Sequence, residues 1–133
     1  MSERPLPDLD QKDTARFWAA TRERKFTYQQ CDNCGTVVWY PRAHCTGCTT
    51  GALQWQTSAG EGTIYTFSIV RQSYHPFFRG EVPYVVAYVD LDEGVRFLTN
   101  VVGVDADAVR VGQRVRLEWE THDALNVPLV TPA

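Results

Sequence analysis

Four cysteines form the pattern with the clearest chemistry in this sequence. They are arranged as two Cys-x2-Cys pairs, Cys31/Cys34 and Cys45/Cys48, ten residues apart, and the chain holds no other cysteine. Two such pairs can close a tetrahedral cage of thiolates around one metal ion, and this kind of cage selects zinc or iron. We favour one zinc ion. Because a closed four-cysteine site has no open position for water or substrate, we expect the ion to stabilise the fold and to catalyse nothing.

Two disulfides, or free buried thiols, are the alternative for the same four residues. Disulfides need an oxidising compartment, and the first residues, MSERPLPD, lack the apolar core of a signal peptide. The longest unbroken apolar stretch, Tyr84–Val89, is far shorter than the roughly 20 residues that span a bilayer. We therefore expect a soluble, cytoplasmic, metal-binding protein that does not contact a membrane.

The distribution of charge bears on possible partners. Residues 1–52 carry seven Lys/Arg and six Asp/Glu, whereas residues 53–133 carry six and ten. The second half therefore has a net charge of −4, which argues against a nucleic-acid surface there.

The chain of 133 residues, 44% of them apolar, has room for about one domain and a small module. We predict an N-terminal arm and helix in residues 1–25, a zinc ribbon in residues 26–52, and a β-barrel in residues 53–133. The helix is expected over Asp10–Glu23, a stretch without Gly or Pro, with Asp10 or Asp13 as its N-cap.

From residue 53 onward the apolar residues recur with a period of two, as in β-strands. The predicted strands are Thr63–Arg71, Tyr84–Leu91, Val95–Val102, Arg114–Thr121 and Val127–Thr131. One helical turn is expected at Asp105–Val109. This order matches a five-stranded OB-fold barrel, so the predicted fold class is mainly β, and an SH3-like barrel is the competing interpretation. Gly60 and Gly62 would let the first strand bend as the barrel closes.

In the first predicted strand, the alternation puts Tyr65, Phe67 and Ile69 on one face.

An ordered set of short motifs runs through residues 10–132. The set comprises the helix with Phe17-Trp18, Tyr28-Gln-Gln-Cys31-Asp-Asn-Cys34-Gly35, Tyr40-Pro41-Arg42, Cys45-x2-Cys48, Gly62-Thr-Ile-Tyr65-Thr-Phe67, Pro83-Tyr84, Leu91-Asp92-Glu93-Gly94-Val95, Val111-Gly112-Gln113-x-Val115 and Val127-Pro128…Pro132. Taken together, these motifs resemble an acyl-CoA-associated family that was long catalogued as a domain of unknown function. That family pairs a rubredoxin-like zinc ribbon with an OB-fold.

The resemblance implies a role in acyl-CoA metabolism. Members of the family act as small partner subunits of thiolases, thiolase-like aldolases and synthases, or are fused to hydratase-type domains. In steroid side-chain breakdown, such a domain pairs with a thiolase homologue that cleaves an acyl-CoA thioester by a retro-aldol reaction. A thiolase-like or aldolase subunit, with a shared acyl-CoA substrate, is therefore the expected partner.

Independent catalysis is not indicated by the sequence. The histidines His44, His75 and His122 are scattered, and Asp92-Glu93 before a glycine is typical of a solvated hairpin turn. Neither a Gly-x-Ser-x-Gly elbow nor a phosphate-binding Gly-x-x-x-x-Gly-Lys loop occurs. We therefore interpret the chain as an accessory subunit that is not catalytic alone.

Two sets of residues are candidates for contacts with substrate and partner. The candidates for contacting the phosphates and adenine of CoA are Arg42, Arg71, Arg79 and Tyr74. The candidates for the partner interface are Phe17, Trp18, His75, Phe77 and Phe78.

Each of these candidates has a simpler interpretation. The arginines can be plain surface cations, and the aromatic loop can be an ordinary barrel lid. Phe17 and Trp18 are adjacent and cannot share one narrow helix face, so one can pack on the core while the other meets a partner. Alternatively, both cover the zinc module. The alternative function is a nucleic-acid-binding module, which usually has a basic groove with stacking aromatics.

Overall fold

The structure, a computed structural model, describes residues 4–133. The N-terminal helix α1, Ala15–Thr21, is shorter than expected, and its N-cap is Thr14 rather than Asp10 or Asp13. The Thr14 hydroxyl donates to Gln11 Oε1 at 2.8 Å, and the Asp10 amide donates to Asp8 Oδ1 at 2.9 Å. These local side-chain bonds compete with helical ones and hold the preceding residues in turns. No helix within residues 4–133 has the length and apolar character needed to cross a membrane.

The ribbon is a three-stranded antiparallel sheet. Its strands are β1 (Thr27–Cys31), β2 (Val37–Val38) and β3 (Leu53–Thr57), in the order β2-β1-β3. Residues 53–57 thus lie in the ribbon sheet, although the predicted barrel segment begins at residue 53. An alternating pattern predicts a strand but does not show which sheet the strand joins. After the second cysteine pair the chain returns to β1, and β3 pairs with β1 over its whole length.

The remaining strands form the closed five-stranded barrel that the sequence predicted. They are β4 (Glu61–Val70), β5 (Tyr84–Leu91), β6 (Arg96–Val101), β7 (Arg114–Thr121) and β8 (Asn126–Pro132), in the closed order β4-β5-β6-β8-β7. The predicted helical turn is a 3₁₀ turn at Ala106–Ala108. A short helix, α2 (Pro76–Arg79), lies in the loop between β4 and β5. The strand order is that of an OB-fold.

One strand differs from the predicted alternation. Pairing of β4 with β5 shifts between Ile64 and Thr66, so that Tyr65 is the extra residue of a β-bulge. Ile64 is buried before the bulge, whereas Phe67 and Ile69 face inward after it. The prediction that Tyr65 shares their face was therefore wrong: its ring is 52% exposed and lies under the Arg96 guanidinium.

The hairpin between β5 and β6 is more than a solvated turn. Glu93 accepts hydrogen bonds from the Ser58 hydroxyl and the Ala59 amide, both at 2.7 Å. Asp92 forms a bidentate pair with Arg114, with both distances 2.8 Å. The two acids therefore tie the end of the ribbon sheet and the start of β7 to this hairpin.

An aromatic cluster joins the helix, the ribbon and the barrel. Phe26, only 1% exposed, has its ring centre 5.2 Å from that of Phe17 on α1, 5.0 Å from Trp39 of the ribbon and 4.8 Å from Phe97 on β6. Aromatic pairs at these separations add to the free energy of burying their surface. The three parts of the chain therefore pack around one core.

Gly62 provides a test of barrel closure. It pairs with both Leu91 and Val115, and an added Cβ would lie 2.5 Å from the Asp90 carbonyl oxygen. We expect Gly62→Ala to lower the free energy of unfolding by about 1–3 kcal/mol because backbone must move. Gly51→Ala, whose Cβ meets nothing within 4 Å, is the matched control, expected to change it by less than about 0.5 kcal/mol. Equal effects of the two variants in urea denaturation would contradict this account of closure.

Candidate functional site

The four cysteine sulfurs converge on one point. All four Sγ atoms lie within 4.8 Å of one another, and the two pairs approach to 3.6 Å at Cys31–Cys48 and 3.6 Å at Cys34–Cys45. A tetrahedral zinc site with bonds of about 2.3 Å has sulfurs about 3.8 Å apart. The four residues are free cysteines, so the structure contains no disulfide between them. The arrangement fits a single metal ion.

The two Cys-x2-Cys turns repeat one backbone design. In each, the residue four positions after the first cysteine donates its amide to that cysteine's carbonyl: Gly35 to Cys31 at 2.9 Å and Thr49 to Cys45 at 3.0 Å. Both donors have a positive φ, +79° for Gly35 and +64° for Thr49. Glycine suits this conformation because it has no Cβ, so Gly35 directly after the first pair is a signal of the turn. Thr49 gave no such signal, because threonine rarely adopts it.

Hydrogen bonds lower the pKa of the Cys31 and Cys48 thiols, whereas at Cys34 burial and the neighbouring sulfurs outweigh the bonds with Thr36 and raise the pKa. The amides of Cys34 and Cys48 point at the first sulfur of their own pair, Cys31 and Cys45, each at 3.5 Å. The Asn33 side chain donates to Cys48 Sγ at 3.5 Å, and with further bonds it lowers the pKa of the Cys48 thiol to about 5. Thiolates are the form that binds metal. Asn33 is a supporting residue that the sequence analysis missed, because its role depends on the fold.

The apolar core of the ribbon is small. It consists of Val38 with the two buried cysteines, Cys31 and Cys45, each 2% exposed. Burial in a cluster of this size adds little stability, so we expect the binding free energy of the ion to contribute to folding at the cysteine end of the ribbon. His44 is an exposed neighbour of Cys45 and lies outside the cluster of four sulfur ligands.

The two adjacent aromatic residues of α1 have different surroundings. Phe17 is 4% exposed and belongs to the core, which corrects its prediction as a partner contact. Trp18 packs edge-on against Phe17 and lines an apolar groove of about 150 Å³ between α1, the ribbon and the barrel. The exposed side chains Tyr40 and Leu98 also line this groove, which we call the ribbon groove. The sequence did not single out Leu98, because its neighbours come from distant segments.

The predicted aromatic loop, Tyr74–Phe78, has a defined local structure. His75 caps α2, with its Nδ1 accepting a hydrogen bond from the Phe77 amide at 3.1 Å. Phe77 and Phe78 are half-buried and pack edge-on, whereas Tyr74 is 84% exposed. The loop is therefore an ordered surface with Tyr74 projecting from it, and His75 has a structural role in shaping it.

The structure does not bring the arginine candidates into one site. Arg42 lies in the ribbon, where the Gln29 side chain holds its backbone through bonds of 2.7 and 2.8 Å. Arg71 and Arg79 flank the β4–β5 loop; Arg71 pairs with Asp107 at 3.4 Å, and Arg79 donates to the Tyr74 carbonyl at 3.1 Å. The role of these residues in CoA binding stays a prediction.

A four-cysteine ribbon followed by an OB-fold barrel defines a class of small zinc proteins, and two family models match this chain in that order. Residues 18–54 match the "ChsH2, rubredoxin-like zinc ribbon domain", and residues 55–120 match the "ChsH2, C-terminal OB-fold domain". The chain belongs to the ChsH2 family, whose domain is also called DUF35. Its four cysteines are thus the ligand cluster of a zinc ribbon, for one ion.

Similar proteins come from bacteria and archaea. The chain is 37% identical, over 98% of its length, to a "probable enoyl-CoA hydratase alpha subunit" of Thermomonospora curvata, and it spans 40% of that longer protein. It is 32% identical over 79% of its length to a "DUF35 domain-containing scaffold protein" of Methanothermobacter thermautotrophicus, 80% of which it covers. It is 30% identical to the "3-oxo-4,17-pregnadiene-20-carboxyl-CoA hydratase alpha subunit" of Mycobacterium tuberculosis, over 81% of this chain and 34% of that one.

A solved structure titled "Ltp2-ChsH2(DUF35) aldolase" contains a similar chain. It superposes with a TM-score of 0.84 at 34% identity, covering 97% of this chain and 98% of that one. Because the identity and the coverage are both high, the match extends through the ribbon and the barrel.

The structural role of the metal ion in the ribbon can be tested by removing one of its ligands. We expect the purified chain to hold one zinc ion and Cys31→Ser to lose it and unfold the ribbon, because binding free energy is folding free energy here. Elemental analysis measures the metal, and near-ultraviolet circular dichroism, to which Trp39 and Trp55 of the ribbon contribute, measures the loss of structure. His44→Ala, a change beside the cage but outside it, is the control and should keep the metal. A well-folded Cys31→Ser protein without metal would contradict the prediction, and a red, redox-active preparation would show iron in the cage.

Proposed function

We propose that this chain is a non-catalytic, zinc-containing accessory subunit that binds a thiolase-fold enzyme and supports acyl-CoA conversion. The observation that carries the proposal is the similarity to a chain of the Ltp2-ChsH2(DUF35) aldolase along 97% of the present sequence. A retro-aldol cleavage of a steroid side-chain acyl-CoA is the specific reaction that we propose for the complex. The relative named as a steroid-CoA hydratase subunit supports an acyl-CoA substrate of this type.

The chemistry of the chain supports an accessory role. The zinc cage has four sulfur ligands, so the ion has no open position at which to activate water or a thioester carbonyl. The three histidines lie in separate places: His44 in the ribbon, His75 as the cap of α2, and His122 bonded to Glu120 at 2.7 Å. A partner would therefore supply the catalytic groups. Cysteines held as a metal cage also fit a reducing compartment, and we propose the cytoplasm.

Two surfaces are suited to a protein partner. The ribbon groove combines Trp18 with the half-exposed Tyr40 and Leu98, at 49% and 48% exposure. The aromatic loop presents the exposed Tyr74 and, close to it in the chain, the packed rings of Phe77 and Phe78. Large aromatic side chains are frequent energetic anchors of interfaces.

Contacts with the shared acyl-CoA belong to the same proposal. Arg71, Arg79 and Tyr74 lie on or beside the aromatic loop, and Arg42 lies on the ribbon. Arginine binds phosphate through paired N–H donors, and an exposed tyrosine ring can stack on adenine. Since the loop residues and Arg42 lie in different parts of the fold, one CoA molecule would contact either the loop residues or Arg42.

Enzyme assays with and without a partner test the function. We expect the purified chain to have no turnover with acyl-CoA substrates and to restore aldolase activity to a co-expressed thiolase-fold partner. The readout is cleavage of the carbon–carbon bond of the acyl-CoA substrate, measured as release of the carbonyl product and the shortened acyl-CoA. Turnover by this chain alone would refute the accessory role. Salt-sensitive binding to an oligonucleotide, without binding to any thiolase homologue, would favour the alternative of a nucleic-acid module.

Truncation of single aromatic side chains tests the two surfaces. We expect Trp18→Ala and Phe77→Ala each to weaken binding of the partner by about 30-fold, equivalent to about 2 kcal/mol, while leaving the chain folded and zinc-loaded. Val111→Ala is the matched control, because Val111 is 66% exposed and lies outside both surfaces. Titration calorimetry measures affinity, and thermal melts check the fold. Unchanged affinity in both variants, or a melted chain in both, would show that the interface is elsewhere.

A further inference from the structure

An arginine at the N-terminus reaches across the molecule to the barrel. Arg4 donates from Nε to one carboxylate oxygen of Glu120 at 2.6 Å and from Nη2 to the other at 3.2 Å. Its Nη1 lies 3.4 Å from Asn100 Oδ1. Glu120 is on β7 and Asn100 is on β6, so this one side chain fixes the N-terminal arm to two strands. The Arg4 side chain is 14% exposed, which places the bidentate pair partly out of water.

The same guanidinium covers the aromatic loop. The Cζ atom of Arg4 lies 5.0 Å from the ring centre of Phe77 and 5.4 Å from that of Phe78. Both distances are in the range of cation–π contacts. The planar group therefore has a carboxylate at its edge and two phenyl rings nearby, and the rings belong to the loop whose tip is the exposed Tyr74.

The carboxylate of this pair is held in its charged form. Burial disfavours ionisation of Glu120, but hydrogen bonds from Arg4 and from His122, at 2.7 Å, outweigh it and keep the pKa of Glu120 below the usual range. A neutral acid would lose most of the attraction to Arg4, so the charge matters to the contact.

Among residues 4–133, the other restraints on the loop are local or lie at its ends, such as the exposed Arg71–Asp107 pair at 3.4 Å. Within it, the His75 cap and the bond from Arg79 to the Tyr74 carbonyl are local, joining residues two to five positions apart. Phe78 also packs against Tyr84 at the start of β5, with ring centres 5.2 Å apart. Arg4 is the contact that connects the two phenyl rings to β6 and β7, on strands distant in sequence.

We propose that Arg4 is a positioning residue for partner binding: its clamp on Glu120, Phe77 and Phe78 holds the aromatic loop in the conformation that the thiolase-fold partner recognises. The inference rests on the proposed function. A loop that is already ordered binds more tightly, because no conformational entropy is lost in ordering it when the partner binds. The N-terminal arm therefore contributes to partner binding by holding the loop, without itself touching the partner.

The test compares Arg4→Ala, Glu120→Gln and Arg4→Lys in the full chain. We expect Arg4→Ala and Glu120→Gln to weaken binding of the partner by about 10-fold and to speed amide hydrogen exchange in residues 74–79. Arg4→Lys keeps the charge but loses the bidentate fork and the planar face, so its effects should be intermediate. The double variant Arg4→Ala/Glu120→Gln should be little worse than either single change, because each single change already removes the same Arg4–Glu120 pair.

Three outcomes would overturn the positioning role. Unchanged exchange in residues 74–79 would show that Arg4 does not hold the loop. Faster exchange with wild-type affinity would show that the held conformation is irrelevant to binding. A uniform rise of exchange across the barrel strands, in Arg4→Ala and Glu120→Gln alike, would show a general structural role. Exchange is measured on the chain alone, so failure of the wild-type chain to bind any thiolase homologue contradicts the proposed function separately.

Discussion

The zinc cage is the constraint on which the rest of the structure depends. The cluster at the cysteine end of the ribbon buries one valine and two cysteines, so the thiolate–metal bonds supply stability there that burial cannot. The cage links Cys31, the last residue of β1, to the second cysteine turn, and Phe26 is the residue directly before β1. Phe26 in turn packs against the helix, the ribbon and the barrel. Loss of the ion would therefore disturb the ribbon groove as well as the ribbon, although none of the groove residues is a ligand.

The closed barrel supports surfaces at two different places. The hairpin with Glu93 is fastened to the ribbon sheet, and the loop with α2 is fastened by Arg4 to β6 and β7. Both attachments use carboxylates bonded to residues from other elements. This design suits a subunit that shapes or shields the site of another protein, since the closed zinc cage offers no chemistry of its own. The aldolase chain with the same ribbon and barrel is consistent with that role.

Local patterns were enough to predict much of the fold. The strands Tyr84–Leu91 and Arg114–Thr121 have the bounds that their alternation indicated, since each period-two pattern reports one buried barrel face. The cysteine spacing predicted the metal cage, because a Cys-x2-Cys turn brings its two sulfurs together without help from distant residues. The helix was predicted too long, since side-chain bonds at Asp8 and Thr14 compete with helical ones in a way that composition does not reveal.

The sequence by itself determined the zinc ligands, the class of fold and the family, because these depend on short spacings and on an ordered set of motifs. The tertiary structure alone decided which of the aromatic side chains are buried and which reach the surface. Phe17 and Trp18 are neighbours in the chain, but packing against Phe26 buries the first and leaves the second at a groove. The bulge at Tyr65 and the clamp of Arg4 on Glu120 likewise join or reorient residues through contacts between distant segments. Such contacts leave no periodic trace in the sequence, because they depend on how the closed barrel places its strand ends.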